Sequence, residues 1–249
     1  MERSEFLKRG FGSLLGLAAI APMLGACKQT DVDPAGTTDG TGTTTGSTNG
    51  NSASNCAVTP TETAGPFPTK TPANLVRKDI RDDRTGVAMT LNITLKNSNA
   101  SCAALAGAIV DVWHCDKDGY YSEYGGSGMQ SANFTNVDFL RGRQTTDAAG
   151  LVSFTTVFPG WYSGRAPHVH VHIYNASGRS LLVTQIAFPY AVSNAVYTTG
   201  QSYGYTKGAQ NTLNERDNVF SDGITTQLAT LSGSLSAGYT LTHTIVVSA

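Results

Sequence analysis

The sequence predicts an all-β protein, a β-sandwich of mixed or antiparallel sheets with long loops, and three observations lead to this prediction. Residues 89–96, 168–174 and 239–247 alternate apolar and polar side chains with the two-residue period of a half-buried strand. The chain contains 27 glycines, and together with its many Thr and Ser residues they favour strands joined by turns. No strongly amphipathic helical pattern separates the predicted strands. Further β-rich runs at 108–114, 151–158 and 181–188 complete the set.

Charge and hydropathy exclude two classes of protein. The 249 residues include 17 basic and 18 acidic side chains, which gives a formal net charge of −1. Such a chain has no basic excess to neutralise a phosphate backbone, so nucleic acid is not an expected partner. With 40% hydrophobic and 14% charged residues, the chain is too apolar and too weakly charged to be disordered throughout.

The first 26 residues have the layout of an export signal. A basic start is followed by an uncharged stretch from 10 to 26 that is shorter than the roughly 20 apolar residues of a membrane-spanning helix. The stretch ends in Leu24-Gly25-Ala26-Cys27, which resembles the bacterial lipoprotein box, in which the cysteine receives the lipid. We therefore expect an exported lipoprotein, anchored in a membrane at Cys27 and facing the periplasm or the cell exterior. A plain cleaved signal or a short anchor helix is the alternative.

Residues 27–55 are predicted to form a flexible linker. From 36 to 55 every residue is Gly, Thr, Ser, Asn, Asp or Ala. A segment of this composition buries too little apolar surface to compensate for the entropy lost on ordering. The folded part is accordingly expected to comprise residues 56–249, a single domain of ordinary size.

The cysteines allow one disulfide in the folded part. If Cys27 carries lipid, then Cys56, Cys102 and Cys115 remain. In an exported protein, two of these cysteines can form a disulfide. We expect Cys56 to pair with Cys102, because Cys115 lies beside His114 at the end of a predicted buried strand. Three unpaired, buried thiols are the alternative.

Three of the five histidines lie within five residues, at positions 168, 170 and 172. In a strand they share one face, and alternate Cα atoms are about 6.5–7 Å apart. Two imidazoles at this spacing can bind one metal ion, while Val169, Val171 and Ile173 face the core. His172 is then either a supporting group near the metal or a surface residue.

The neighbouring residues indicate which metal ion the pair would bind. Neither the ligand order of a blue-copper site nor the glutamate of a cupin site follows the histidines. Tyr120, Tyr121 and Tyr162 are nearby instead, and a phenolate is a hard anionic donor that suits a trivalent ion such as ferric iron. Two phenolates and a hydroxide would balance its three positive charges in a dry pocket.

Several motifs in a fixed order resemble the intradiol ring-cleavage dioxygenase family. They are Gly65-Pro66-Phe67, the run GAIVDVWHCD at 107–116, GYYS at 119–122, FLRG at 139–142 and PGWYSGRAPHVH at 159–170. The resemblance extends from about residue 56 to about residue 188. It implies a β-sandwich, in agreement with the strand pattern.

The resemblance also implies a set of site residues. Tyr121, Tyr162, His168 and His170 match the family's four ligands to a non-haem Fe(III) ion, and Arg165 matches its active-site arginine. Tyr162 is the ligand implied to leave the iron and take up a substrate proton, and Arg165 is implied to stabilise the negative charge that develops.

The remaining implications concern the substrate. Gln185 matches a residue that lines the substrate pocket in the protocatechuate branch of the family. The implied partners are a small aromatic diol and O₂, and the implied reaction opens a catechol ring between its two hydroxyl-bearing carbons to give a muconate-type diacid. No flavin, NAD or haem is expected. The alternative hypothesis is an exported sandwich lipoprotein that binds a metal ion or a polyphenol without turnover.

Overall fold

A computed structural model describes residues 56–126 and 128–249 of the chain. The predicted export signal (1–26), the lipid anchor at Cys27 and the predicted linker (27–55) lie outside the described residues. Among the residues that are described, no helix is long and apolar enough to cross a membrane.

The described chain folds into two β-sheets, which confirms the predicted fold class. Its strands are β1 (Ala88–Asn97), β2 (Ala103–Ala104), β3 (Ile109–Trp113), β4 (Arg141–Thr145), β5 (Leu151–Val157), β6 (His168–Tyr174), β7 (Ser180–Ala187), β8 (Thr230–Ser234) and β9 (Gly238–Val247). The first sheet is mixed, because β1 pairs in parallel with β9 and antiparallel with β2 and β5, and β8 forms an edge beside β9. The second sheet, in the order β4-β3-β6-β7, is entirely antiparallel.

A single large hydrophobic core lies between the two sheets. The alternation in β1 buries every second residue, and β6 contributes its core residues in the same way from the opposite sheet. Full burial of each large aliphatic side chain contributes about 1.5–3 kcal/mol to folding. The core side chains of these two strands are Met89, Leu91, Ile93, Leu95, Val169, Val171 and Ile173.

The segment after β7 contains the one α-helix of the described residues, α1 (Tyr190–Thr199). Val196 and Tyr197 anchor this helix in the core, and Gly200 ends it. The chain then continues through short 3₁₀ turns at 201–203, 214–216 and 218–220. This long connection borders the functional site, because its Asp217 contacts Arg165.

The structure confirms the predicted disulfide. Cys56 is bonded to Cys102, with Cα atoms 5.9 Å apart, and it joins the start of the described chain to the turn that follows β1. Cys115 remains a thiol and is buried, as its position beside the predicted buried strand indicated.

Breaking this disulfide is expected to destabilise the folded domain by up to about 4 kcal/mol, because the bond closes a loop between residues 46 positions apart. The measurement is urea unfolding of the wild type with and without a thiol reductant. With or without the reductant, Cys102→Ser should unfold at the urea concentration at which the reduced wild type unfolds. Equal unfolding midpoints for oxidised and reduced wild-type protein would show that the bond contributes nothing.

Candidate metal centre

The candidate site lies on the outer face of the second sheet, opposite the core. Because Val169 and Val171 of β6 face the core, His168 and His170 point to this outer face, and both are buried. In the sheet, His170 lies directly opposite Trp113 on β3 and Gln185 on β7. Side chains directly opposite one another on adjacent strands are in contact range, so three strands contribute to one site.

Tyr121 reaches the site from the loop after β3, and local hydrogen bonds fix this loop. The carboxylate of Asp116 accepts hydrogen bonds from the backbone N–H groups of Asp118 and Tyr120, at 3.0 and 2.9 Å. The side-chain amide of Gln130 then holds Tyr121 by both backbone groups, accepting from its N–H at 2.7 Å and donating to its carbonyl at 2.8 Å. Tyr121 is fully buried as a result.

Tyr162 comes from the loop between β5 and β6. Its approach requires Gly160, because a Cβ at that position would lie only 2.4 Å from the carbonyl oxygen of Lys117 and 2.6 Å from that of Asp116. The two tyrosine-bearing loops are therefore packed backbone to backbone. Tyr162 itself is only half-buried, so its phenol is the more accessible of the two.

The structure brings the four predicted ligands together. The Nε2 atoms of His168 and His170 are 3.1 Å apart, and the Tyr121 Oη lies 3.3 Å from the His168 Nε2. The Tyr162 ring packs edge-on against the Tyr121 ring and the His168 ring, with centroids 5.9 and 5.8 Å apart. Nitrogen and oxygen atoms this close to one another could be ligands of a single metal ion.

The histidines present lone pairs to this point. His168 Nδ1 lies 2.6 Å from the carbonyl oxygen of Ala166, which can only accept, so Nδ1 carries the proton and Nε2 carries a lone pair. Burial, assisted by the charge of Arg165, lowers the pKa of His168 to about 3. Burial and the neighbouring His168 likewise place the pKa of His170 well below its usual value. Both rings are therefore neutral near pH 7.

The phenols require a cation in order to ionise. With protein groups alone around it, burial raises the pKa of Tyr121 well above its usual value, and the nearby Tyr162 raises it further. Burial also raises the pKa of Tyr162, although Arg165 opposes that shift. A hard trivalent ion would supply the missing positive charge, so two neutral imidazoles and two phenols are a donor set that fits ferric iron. Within the described residues, no group of three or more His, Cys, Asp or Glu side chains could hold a metal ion, so this site depends on its phenols.

Arg165 and Gln185 border the four donor atoms. The Arg165 Nη1 lies 3.5 Å from both the Tyr162 Oη and the His168 Nε2. Its Nη2 donates a short hydrogen bond to the Gln185 side-chain oxygen, and the Gln185 Nε2 donates to the Thr63 carbonyl at 2.8 Å. Gln185 therefore contacts Arg165 and lies next to His170 on the sheet.

The sequence did not predict the roles of Asp217 and Trp113. The Arg165 Nε donates to both carboxylate oxygens of Asp217 at 2.9 Å, and Asp217 is buried. The Trp113 ring stacks on the His170 ring, with centroids 4.8 Å apart and planes 3° from parallel. Pairing β3 with β6 would have revealed Trp113, whereas nothing in the loop around Asp217 indicates its partner.

His172, the third histidine of the motif, does not join the four donor atoms. Its Nδ1 interacts with the Tyr174 hydroxyl at 2.9 Å and its Nε2 with the Ser180 hydroxyl at 2.8 Å. The ring is half-buried and stacks on Tyr174. Of the two alternatives for His172, the structure therefore supports the surface residue.

Gly65, in the segment that precedes β1, packs closely against His170. Its φ of +69° is in the left-handed region, and a Cβ added there would lie 2.9 Å from the His170 Cε1 and 3.3 Å from its Nε2. The His170 Nδ1 has no hydrogen-bond partner among the described residues. The position of the His170 ring therefore depends on Trp113 and on the backbone at Gly65.

Gly65→Ala is expected to displace His170 and to lower the affinity for iron by at least about tenfold. Gly178→Ala is the matched control, because its φ of +85° imposes the same left-handed strain of about 1–2 kcal/mol while its added Cβ meets nothing within 4 Å. The measurement is iron content after dialysis against a chelator, beside thermal unfolding of both variants. Equal iron retention in the two variants would contradict the role of Gly65.

Comparison with known proteins identifies the family of this chain. Residues 63–197, more than half of the chain, match the family model described as dioxygenase. The matched region contains all of the predicted site residues. The chain therefore belongs to the intradiol ring-cleavage dioxygenase family, as its motifs predicted.

Three relatives illustrate the similarity. Catechol 1,2-dioxygenase 1 of Acinetobacter lwoffii is 29% identical over an alignment of 122 residues, and the match covers 41% of this chain and 37% of that protein. Chlorocatechol 1,2-dioxygenase of Rhodococcus opacus is 28% identical over an alignment of 152 residues, and the match covers 52% of this chain and 54% of that protein. The solved intradiol ring-cleavage dioxygenase of Tetranychus urticae superimposes with a TM-score of 0.64 at 27% identity, covering 77% of this chain and 95% of that chain. The aligned region thus spans about a third to a half of the length of the two bacterial relatives.

Proposed function

We propose that residues 56–249 form a non-haem Fe(III)-dependent dioxygenase, which uses O₂ to cleave a catechol-type ring between its two hydroxyl-bearing carbons and produces a muconate-type diacid. The observation that carries this proposal is the convergence of two neutral imidazoles and two phenols at one point. In this proposal Tyr121, Tyr162, His168 and His170 hold the iron.

The four ligands have different roles in the proposal. Bound ferric iron would supply Lewis acidity that favours deprotonation of the catechol hydroxyls. Tyr121 is fully buried and fixed at its backbone by Gln130, so it remains in place. Tyr162 is half-buried at the open side, so its Oη is the atom that accepts a substrate proton.

Arg165 provides the positive charge beside the reacting oxygens. Its Nη1 lies 3.5 Å from the Tyr162 Oη, which puts a cationic side chain next to the proposed proton acceptor. A donor fixed in a largely buried position stabilises developing negative charge without having to reorganise. Gln185 fixes one side of this guanidinium, and the proposal keeps for it the pocket-lining role that the family resemblance implies.

Aromatic side chains keep water away from the buried ligands. Phe67 stacks on Tyr121 with ring centroids 4.9 Å apart, and Trp113 covers one face of His170. Both Phe67 and Trp113 are buried. A site enclosed in this way strengthens the electrostatic interactions of Arg165 within it.

Oxygen uptake with catechol tests the proposal. Iron-loaded protein should consume one O₂ per catechol and release a ring-opened diacid, identified by mass spectrometry with both atoms of ¹⁸O₂ incorporated. Metal-free protein is the control and should be inactive. Iron-loaded protein that binds catechol but consumes no O₂ would overturn the enzyme proposal in favour of a binding lipoprotein.

We also propose that this body is exported and anchored to a membrane by lipid on Cys27, with 27–55 as the linker. The Cys56–Cys102 disulfide supports export, because such bonds persist in oxidising compartments. Cys27→Ser should move the protein from the membrane fraction to the soluble fraction of fractionated cells. Cys115→Ser is the matched control and should leave the protein with the membranes.

A further inference from the structure

Each of the two arginines beside the donor atoms is paired with a carboxylate. The Arg165 Nε donates to both oxygens of Asp217 at 2.9 Å, and Asp217 is buried. Arg141, whose guanidinium lies 6.0 Å from the Tyr121 ring, forms an ion pair with Glu123 at 3.4 Å. The positive charges nearest to the site are thus offset by protein carboxylates.

Two of the nitrogen atoms of Arg165, Nε and Nη2, also donate to protein groups. Besides the Asp217 contact of Nε, its Nη2 donates to Gln185 and its Nη1 faces Tyr162 and His168. Binding a carboxylate strongly requires two parallel N–H donors of one guanidinium. The side-on pair of donors, Nε and Nη2, already binds protein acceptors and is not free for an anionic group on the substrate.

Arg141 is occupied in the same way and is fully buried. Its Nη1 donates to the carbonyl of Phe67 at 2.9 Å and to the hydroxyl of Thr69 at 3.1 Å. Its Nε and Nη2 donate to the side chain and the backbone of Ser122, at 2.8 and 2.7 Å. A substrate could recruit Arg141 only by breaking this network.

A third carboxylate, that of Glu62, lies on the Gln185 side of the site. The Gln227 Nε2 lies 3.1 Å from the Glu62 Oε1 and 3.3 Å from the Gln185 carbonyl. Burial raises the pKa of Glu62. The charge of Asp217 acts in the same direction, and the charge of Arg165 opposes it. Glu62 therefore adds a further acidic side chain, and no cation, on this side of the site.

We propose that Asp217 is a positioning residue that fixes Arg165 and offsets its charge, so that the site accepts catechols with uncharged ring substituents and rejects those with a carboxylate. This inference rests on the proposed function. A ring carboxylate would lose its water without gaining a cation, and burying a charge in this way is costly. The Asp217 carboxylate also accepts the Ala166 N–H at 2.8 Å, two residues before His168, so it fixes the turn that carries Arg165.

Two ligands of nearly equal shape test the substrate class. 3,4-Dihydroxybenzamide and 3,4-dihydroxybenzoate differ in charge but hardly in size. Titrated without oxygen into the iron-loaded full chain and followed by visible absorption, the amide should bind at least about tenfold more tightly than the acid. The kcat/KM from oxygen uptake should likewise be higher for the amide than for the acid. Equal affinities, or tighter binding of the acid, would overturn the proposal.

Asp217→Asn tests the role of Asp217. Releasing the charge of Arg165 should improve binding of the acid relative to the amide, so the affinity ratio should fall at least threefold, about half of a tenfold change on a logarithmic scale. Glu215→Gln, an exposed acid-to-amide change in the same segment, should leave the ratio unchanged. A structural role alone would weaken both ligands equally, so an unchanged ratio in Asp217→Asn would refute this role.

The outcomes separate this inference from the proposed function. If catechol itself neither shifts the absorption nor is consumed with O₂, the proposed function fails. If catechol is bound and cleaved while the acid and the amide bind equally, only the present inference fails. The wild-type comparison requires no variant, so it decides the substrate class even if Asp217→Asn does not fold.

Discussion

Replacing Tyr121 by Phe is expected to weaken and blue-shift the visible absorption that arises from phenolate-to-iron charge transfer, and to lower the affinity for iron by more than about 100-fold. Loss of a group that merely supports a metal ligand costs about 10–100-fold, and the proposal makes Tyr121 a ligand. The change removes only the phenol oxygen, 3.3 Å from the His168 Nε2, and the remaining ring can keep its stacking on Phe67. Folding should therefore be preserved while the donor is lost.

The neighbouring residue provides a matched control for this prediction. Tyr120 is half-buried, its ring packs beside Phe134 at 6.0 Å, and in the described part of the chain its hydroxyl makes no hydrogen bond. Tyr120→Phe should keep the iron content, absorption and turnover of the wild type. The measurements are iron per chain, the visible spectrum and kcat/KM for catechol. A Tyr121→Phe protein with wild-type iron and absorption would remove Tyr121 from the ligand set.

Hydrophobic alternation predicted the strands that turn one face toward the core and the other face away from it. It located β1, β6 and β9, and in β6 it placed His168 and His170 together on one face. It missed β4, whose sequence RGRQT has no alternating apolar residues. That strand is stabilised instead by the hydrogen bonds of the buried Arg141 and by Gly142, where an added Cβ would lie 2.4 Å from Ile80. Such interactions depend on distant residues, which periodicity does not detect.

The site could be predicted in part, for a related reason. Strand geometry alone put the two histidines side by side, but it could not choose among Tyr120, Tyr121 and Tyr162, because the loop conformation decides which phenol points inward. Gln130, nine residues away, fixes that conformation, and only the family motif identified Tyr121 in advance. Asp217 is 52 residues from Arg165 in a loop without periodicity, so their contact exists only in three dimensions.

Replacing Arg165 by Met is expected to lower kcat by about 10²–10³ while the protein retains its iron. A fixed donor that stabilises developing negative charge typically contributes a factor of this size. Arg165 is not one of the four proposed ligands, and its Nη1 lies 3.5 Å from the nearest of their donor atoms, so its loss removes no ligand. Iron per chain and the visible spectrum should match the wild type, and steady-state oxygen uptake measures the loss.

The same change has a second consequence that allows its two effects to be separated. Arg165→Met leaves the Asp217 carboxylate buried without its cation, and breaking a buried pair in this way costs about 3–5 kcal/mol of stability. Adding Asp217→Asn removes the buried charge, so the double variant should regain much of that stability in urea unfolding. Its turnover should stay as low as that of the single variant, because the cation is still absent. If turnover recovered together with stability, Arg165 would act in folding, and the charge beside the Tyr162 oxygen would contribute nothing to the reaction.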